Sequence, residues 1–160
     1  TENKMKRIIA VILLGLMLLS SASAFAIVGQ YEIVVNGKAT RAMAVMDDGT
    51  LMVPMKAVCK ALGYKITYKS SDKAYHIENG TNACDIAMDS SVYTVYAVNG
   101  MAGTTSPTDL GAEPQYIGKT LYVPVELFRV LLGNYDEAVT VSGSYILIRE
   151  VSIGCANPNA

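Results

Sequence analysis

The chain has 160 residues, 51% of them hydrophobic, and a formal net charge of −1. That length supplies enough apolar material for one domain with its own core. With no basic run beyond the first residues, electrostatic attraction to nucleic acid or anionic lipid is excluded.

The first predicted element is a leader rather than part of the fold. Met5-Lys6-Arg7 gives a positive start, Ile8 to Leu19 is apolar, and Ser20 to Ala26 (SSASAFA) offers Ala-x-Ala cleavage sites. This is the three-part pattern of a secretory signal peptide. Thr1 to Lys4 precede Met5. An uncleaved anchor is the other reading, but a spanning helix needs roughly 20 mostly apolar residues, and serines interrupt this stretch. The expectation is a signal peptide over 1–26, a domain over 27–150 and a flexible tail over 151–160, secreted and free of the membrane after cleavage. Without Lys4, Lys6, Arg7 and Glu2, the 13 basic and 14 acidic side chains fall to 10 and 13, a net −3.

Turn signals cut the rest into short pieces. YEIVV (Tyr31 to Val35) reads as a strand ending at Asn36-Gly37, a strong tight-turn pair. A turn at Asp47-Asp48-Gly49 leads to a strand over Thr50 to Val53. Pro54 stands where the first turn of a helix tolerates proline, since that N–H has no partner anyway. Met55, Val58, Cys59 and Leu62 share one face of that helix. Gly63 stops it in the position that favours left-handed backbone. Strands over Lys65 to Tyr68 and Ala74 to Glu78 follow, then ACDIAMD with Cys84, Ile86 and Met88 on one face. YTVYAVNG (Tyr93 to Gly100) repeats the strand-then-turn phrase with Asn99-Gly100. After a polar loop, LYVPVELFRVLLG (Leu121 to Gly133) rewrites LMVPMKAVCKALG (Leu51 to Gly63) at an offset of 70 residues. Pro124 and Gly133 take the places of Pro54 and Gly63, and VTV, SGS and YILIRE form a closing hairpin. The two halves run over about 31–80 and 93–150. Helices of about ten residues are too short to be stable alone and must lie on the strands. The fold class is α+β: antiparallel strands packed around two short helices, built as a tandem pseudo-repeat.

The phrases VVNGK, TLMVPMKAVCKALGYKITY, VNG and TLYVPVELFRVLLG, in this order, resemble the copper amine oxidase N-terminal-like domain family, found on exported bacterial proteins. The first copy matches through Asn36, Gly37, Lys38, Thr50, Val53, Pro54, Ala61, Leu62 and Gly63. The second matches through Asn99, Gly100, Thr120, Val123, Pro124, Leu132 and Gly133. The chain departs from the pattern where the family's Arg becomes Lys56 and Glu126, its Glu becomes Lys60 and Val130, and its Trp becomes Tyr68 and Ala138. The resemblance implies a non-catalytic, accessory α+β module.

The residues support no catalytic set. Asn134-Tyr135-Asp136-Glu137 spells the phrase in which amine oxidases convert tyrosine to a quinone. That conversion needs a copper held by histidines, and the chain has one histidine, His76. The phrase is read as a loop after a helix stop, and His76 as a strand residue turned toward solvent. Asp47/Asp48 and Asp136/Glu137 read as solvated turn acids. No cofactor and no metal are expected. Cys59 and Cys84 both point at the core, as a disulfide or as buried free thiols, and Cys155 lies in the tail. Tyrosine is abundant, ten against two phenylalanines, which suits either strand packing or contact faces. The expected function is an exported, non-enzymatic module binding cell-wall polysaccharide or an extracellular protein. The alternative is a self-assembling surface subunit whose sheet edges, near Ile27–Val35 and Tyr145–Val151, pair between copies.

Overall fold

The computed structural model describes residues 30–99 and 106–152. The leader, Gly100 and the tail cysteine Cys155 lie outside the described residues.

Strand β1 (Tyr31–Val35) turns at Asn36 and Gly37, whose φ values of 47° and 76° give the tight hairpin expected of Asn-Gly. The ten-residue β2 (Lys38–Asp47) then runs antiparallel to β1. Between them Ile33 alone opposes Thr40 to Ala42, a bulge in which Arg41 takes φ 59°. The Thr40 hydroxyl donates to the Ile33 carbonyl at 2.9 Å, satisfying a group the bulge would orphan. The bend lets the far end of β2 leave β1 and pair with β3 (Thr50–Pro54). Asp48 and Gly49, at φ 42° and 82°, close that second hairpin.

Helix α1 (Met55–Ala61) follows at once and buries Met55, Val58 and Cys59, with Leu62 beyond them. Pro54 is the last residue of the strand and the N-cap of the helix, one position earlier than the sequence suggests. After the helix, β4 (Lys65–Lys69) and β5 (Ala74–Glu78) form a hairpin, and β5 continues to β6 (Asn82–Ala87). The YTVYAV stretch divides into β7 (Val92–Tyr93) and β8 (Val95–Ala97). β8 pairs with β6, and β7 with β9 (Thr108–Asp109). A third hairpin, β10 (Gln115–Ile117) with β11 (Thr120–Pro124), leads to helix α2 (Glu126–Leu131), where Val125 rather than Pro124 is the N-cap. A 3₁₀ turn (Asp136–Ala138) precedes the closing hairpin of β12 (Val139–Ser142) and β13 (Tyr145–Ile148).

These strands assemble into a seven-stranded sheet ordered β10-β11-β3-β2-β1-β13-β12, a four-stranded sheet β4-β5-β6-β8 and the small β7-β9 pair. In the large sheet Val53 faces Val123, the residue 70 positions on. The β2–β3 register Val45↔Met52 likewise recurs as Gln115↔Tyr122 in β10–β11. Both sheets and both helices feed one core, which includes Ile33, Val58, Ile77, Ile86, Phe128 and Ile146.

The architecture is α+β, with most pairings antiparallel. One is parallel: β1 lies beside β13, Glu32 opposite Tyr145 through Val35 opposite Ile148. This corrects the expectation that Ile27–Val35 and Tyr145–Val151 form sheet edges free to pair between copies. The described strands of both segments are interior, their backbone groups taken by each other and by β2 and β12.

Candidate functional site

The residues singled out in the sequence are mostly backbone devices. Gly63 and Gly133 take φ 78° and 96°. Each lies just past its helix, and the last turns close identically. Tyr64 N–H donates to the Cys59 carbonyl (2.8 Å) and Gly63 N–H to that of Lys60 (3.3 Å). Asn134 and Gly133 do the same to Arg129 and Val130, at 2.8 and 3.2 Å. This paired pattern satisfies carbonyls that a helix end otherwise leaves open. Asn36 also works through its side chain, whose Oδ1 accepts from Glu150 N–H at 3.0 Å and ties the first turn to the chain after β13. Asn99 is an exposed turn residue.

Cys59 and Cys84 are both fully buried and stand as free thiols, not as a bridge. Burial, with a smaller effect of the neighbouring Cys84, pushes the Cys59 thiol up to about 12. Burial does the same for Cys84, against a backbone hydrogen bond that lowers it. At neutral pH both are protonated and poor nucleophiles. His76 cannot activate Cys84. Cys84 lies opposite Ile77 on the core side of the small sheet, whereas His76 pairs with Asp85 on the other side.

That outer side carries a polar network missed in the sequence. Asp85 accepts from Lys69 Nζ (3.1 Å) and Tyr96 Oη (2.9 Å), and its Oδ1 lies 2.8 Å from His76 Nδ1. His76 Nε2 is 3.6 Å from Glu78. His76 is thus partly covered and carboxylate-paired rather than simply solvated. Asp136 pairs with Arg129 at 3.1 Å in the loop after α2, which is where the Asn-Tyr-Asp-Glu phrase was placed. Asp47 accepts from Gln115 Nε2 at 2.5 Å. Among the described residues no three His, Cys, Asp or Glu side chains converge as a metal site would require. No helix there is long and apolar enough to cross a membrane.

The surface feature with recognisable contact chemistry is a groove of about 370 Å³ between α1, the β4–β5 hairpin and the β10–β11 hairpin. Met55, Ile66 and Leu121 line it together with Tyr75, Tyr116 and the two cations Lys56 and Lys119. The Tyr75 and Tyr116 hydroxyls share a hydrogen bond of 2.5 Å, which joins the small sheet to the large one. That bond, helped by partial burial, pushes the Tyr75 hydroxyl up to about 12, so this phenol stays neutral in the physiological range. Tyr68 extends the aromatic surface, its ring centroid 4.8 Å from that of Tyr75 at a 49° tilt. Tyr68 and Tyr116 remain 52% and 55% exposed, too open to be explained as core. The excess of tyrosine was the sequence signal for this groove, but it carried no positions.

An Asn-Gly turn, strands that end in proline just before a helix, and glycine helix stops agree with the comparison to known families. The family described as Copper amine oxidase N-terminal domain matches residues 28–138. The chain belongs to this family. In copper amine oxidases this N-terminal domain is a non-catalytic module. A protein of Brevibacillus choshinensis named "Protease inhibitor" is 28% identical over 120 residues, covering 71% of this chain and 34% of that protein. The chain therefore spans about a third of that relative. No solved structure matches it.

Proposed function

We propose that this copper amine oxidase N-terminal domain is an exported, non-catalytic contact module. It engages a polysaccharide or protein at the cell envelope or outside the cell, and its two phrases 70 residues apart are copies of one unit. The observation that carries the reading is the tyrosine groove: Tyr116 is hydrogen-bonded to the partly buried Tyr75 and Tyr68 packs beside it, yet Tyr116 and Tyr68 stay half open to solvent. Such rings offer apolar area with a polar tip at low entropic cost on binding. The non-catalytic character of the family supports contact over turnover. The inhibitor name of the Brevibacillus choshinensis relative is consistent with that and does not choose the partner.

The test is capture. The exported full chain is immobilised and offered purified cell wall and culture-medium proteins. Retention of a component that weakens on Tyr68→Ala together with Tyr116→Ala is the expected result; no retention overturns the reading. The mass of the chain recovered from medium tests export directly, with an N-terminus after Ala24 or Ala26 expected.

A further inference from the structure

The tyrosine groove has a counterpart in the same molecule. A second cleft, of about 440 Å³, lies between α2 and the β2–β3 hairpin. Counting 70 positions relates their linings: Thr50 to Thr120, Leu51 to Leu121, and Val125 back to Met55. Three correspondences break the likeness. Met46 stands where the groove has Tyr116, Gly49 where it has Lys119, and Glu126 where it has Lys56. The Glu126 carboxylate is taken by Arg129 Nε at 2.6 Å, whereas neither Lys56 nor Lys119 has an acidic partner among the described residues. Methionine and glutamate therefore serve at two of these positions in the same strand-to-helix course, whereas Gly49 answers to its own turn at φ 82°. Tyr116 ties the two sheets together through Tyr75, but the two exposed lysines make no ion pair among the described residues, so their concentration beside these rings calls for a ligand.

We propose that the groove binds a polysaccharide carrying acidic substituents, its sugar rings on Tyr75, Tyr116 and Tyr68 and its anionic groups on Lys56 and Lys119. This rests on the contact-module reading and names its ligand class. The Tyr75–Tyr116 hydrogen bond holds the phenol tips against each other, which leaves the ring faces and one remaining O–H for the ligand. Apolar ring faces suit the C–H faces of sugars. Two unpaired ammonium groups in a domain with a net negative charge make a local positive site that is not a by-product of composition. A peptide would dock most readily by adding a strand, but both flanking edges resist this. β4 is bracketed by Lys65 and Lys69, and β10 is three residues long with Pro114 just before it. Lysine, proline and shortness are the devices that block strand addition.

The test titrates the full chain with four polymers by affinity electrophoresis and calorimetry. They are polygalacturonate (carboxylate), a glycerol-phosphate polymer bearing sugars (phosphodiester), neutral dextran and poly-glutamate. At least one acidic glycan is expected to bind tenfold or more tighter than dextran, and to weaken as salt rises. Which acidic glycan binds identifies carboxylate or phosphodiester as the source. Lys56→Glu with Lys119→Ala, both at exposed positions, is expected to abolish the acidic preference with the melting temperature unchanged. Tyr116→Met is expected to reduce all glycan binding tenfold. Equal binding of dextran, equal binding of poly-glutamate, or indifference to these substitutions overturns the proposal. Loss of all glycan binding with a protein still captured from medium overturns the ligand class and leaves the contact module standing. Failure of both sinks both.

Discussion

Residues 50–62 and 120–132 follow the same course, strand into proline into helix, with the same glycine stop after each, and then part company. After Gly63 the chain enters β4 directly at Lys65. After Gly133 it makes the 3₁₀ turn Asp136–Ala138, held to α2 by Arg129, and reaches β12 only at Val139. The hairpins that follow also find different neighbours. β13 lies directly against β1, whereas β6 is inserted between β5 and β8. The shared letters, proline and glycine, govern backbone geometry, and the backbone agrees. The letters that differ govern surfaces, and there the two regions diverge into a tyrosine–lysine groove and a neutralised apolar cleft.

The largest effect expected from this comparison is in the helices. Phe128 is fully buried in α2, and the residue 70 positions before it, Val58, is fully buried in α1. Phe128→Ala should cost about 3–5 kcal/mol, since the lost transfer energy is joined by a cavity. Val58→Ala removes two buried carbons and should cost about 2 kcal/mol. Urea denaturation of both variants checks the order; a larger loss at Val58 would show that α1, not α2, is the heavier anchor.

The glycine stops come next. Both hold left-handed backbone, which costs an alanine roughly 1–2 kcal/mol. A Cβ at Gly63 would meet nothing within 4 Å, but one at Gly133 would fall 2.6 Å from the Tyr135 ring. Gly133→Ala should therefore destabilise more than Gly63→Ala in thermal melts. Adding Tyr135→Ala should narrow the gap. Equal melting of the two single variants would mean that the ring moves aside freely.

How far the sequence discloses the molecule follows the same line between local and distant. Asn36-Gly37, the Met55-Val58-Cys59-Leu62 stripe, both helix stops and the β4 and β5 spans are legible because each depends on residues a few positions apart. The parallel pairing of β1 with β13 joins residues more than a hundred positions apart, and a short apolar run looks the same inside a sheet as at its edge. For the same reason Tyr75 and Tyr116, 41 residues apart, could not be placed together. The polar partners of His76 were hidden because strand alternation assigns a face but not what crosses it.

A smaller effect distinguishes Cys59 from Arg129, which stands 70 positions on. One is a buried thiol; the other is a guanidinium that reaches Glu126, Asp136 and the Val139 carbonyl. With the Cys59 and Cys84 thiols pushed up to about 12, iodoacetamide at pH 8 should leave the peptides containing them unlabelled in the native protein. Both should label in urea. Recovery of a disulfide-linked peptide pair, or rapid native labelling, would contradict buried free thiols.

The smallest effect contrasts the outer faces of the two hairpins. The β12–β13 face exposes Tyr145 and Leu147, whereas the β4–β5 face carries the Asp85 network. Partial burial pushes the Asp85 carboxyl up, but hydrogen bonds from His76, Lys69 and Tyr96 outweigh it and hold it below the usual carboxylate range. A carboxyl lowered by folding contributes stability above its unfolded value of about 3.9 and loses it as pH falls through the lower folded value. Asp85→Asn should therefore melt slightly below the wild type from pH 5 to 7, with the gap closing below about pH 4 as the wild-type carboxyl protonates. The side chain is 45% exposed, so water and salt screen the network and the gap should be small and shrink further in high salt. Tyr145→Ser, on the face without such a network, should shift the melt by a similar amount at every pH. A gap for Asp85→Asn that persists unchanged at pH 2 would assign its effect to packing rather than charge, and the two outer faces would then differ in composition but not in the physics that stabilises them.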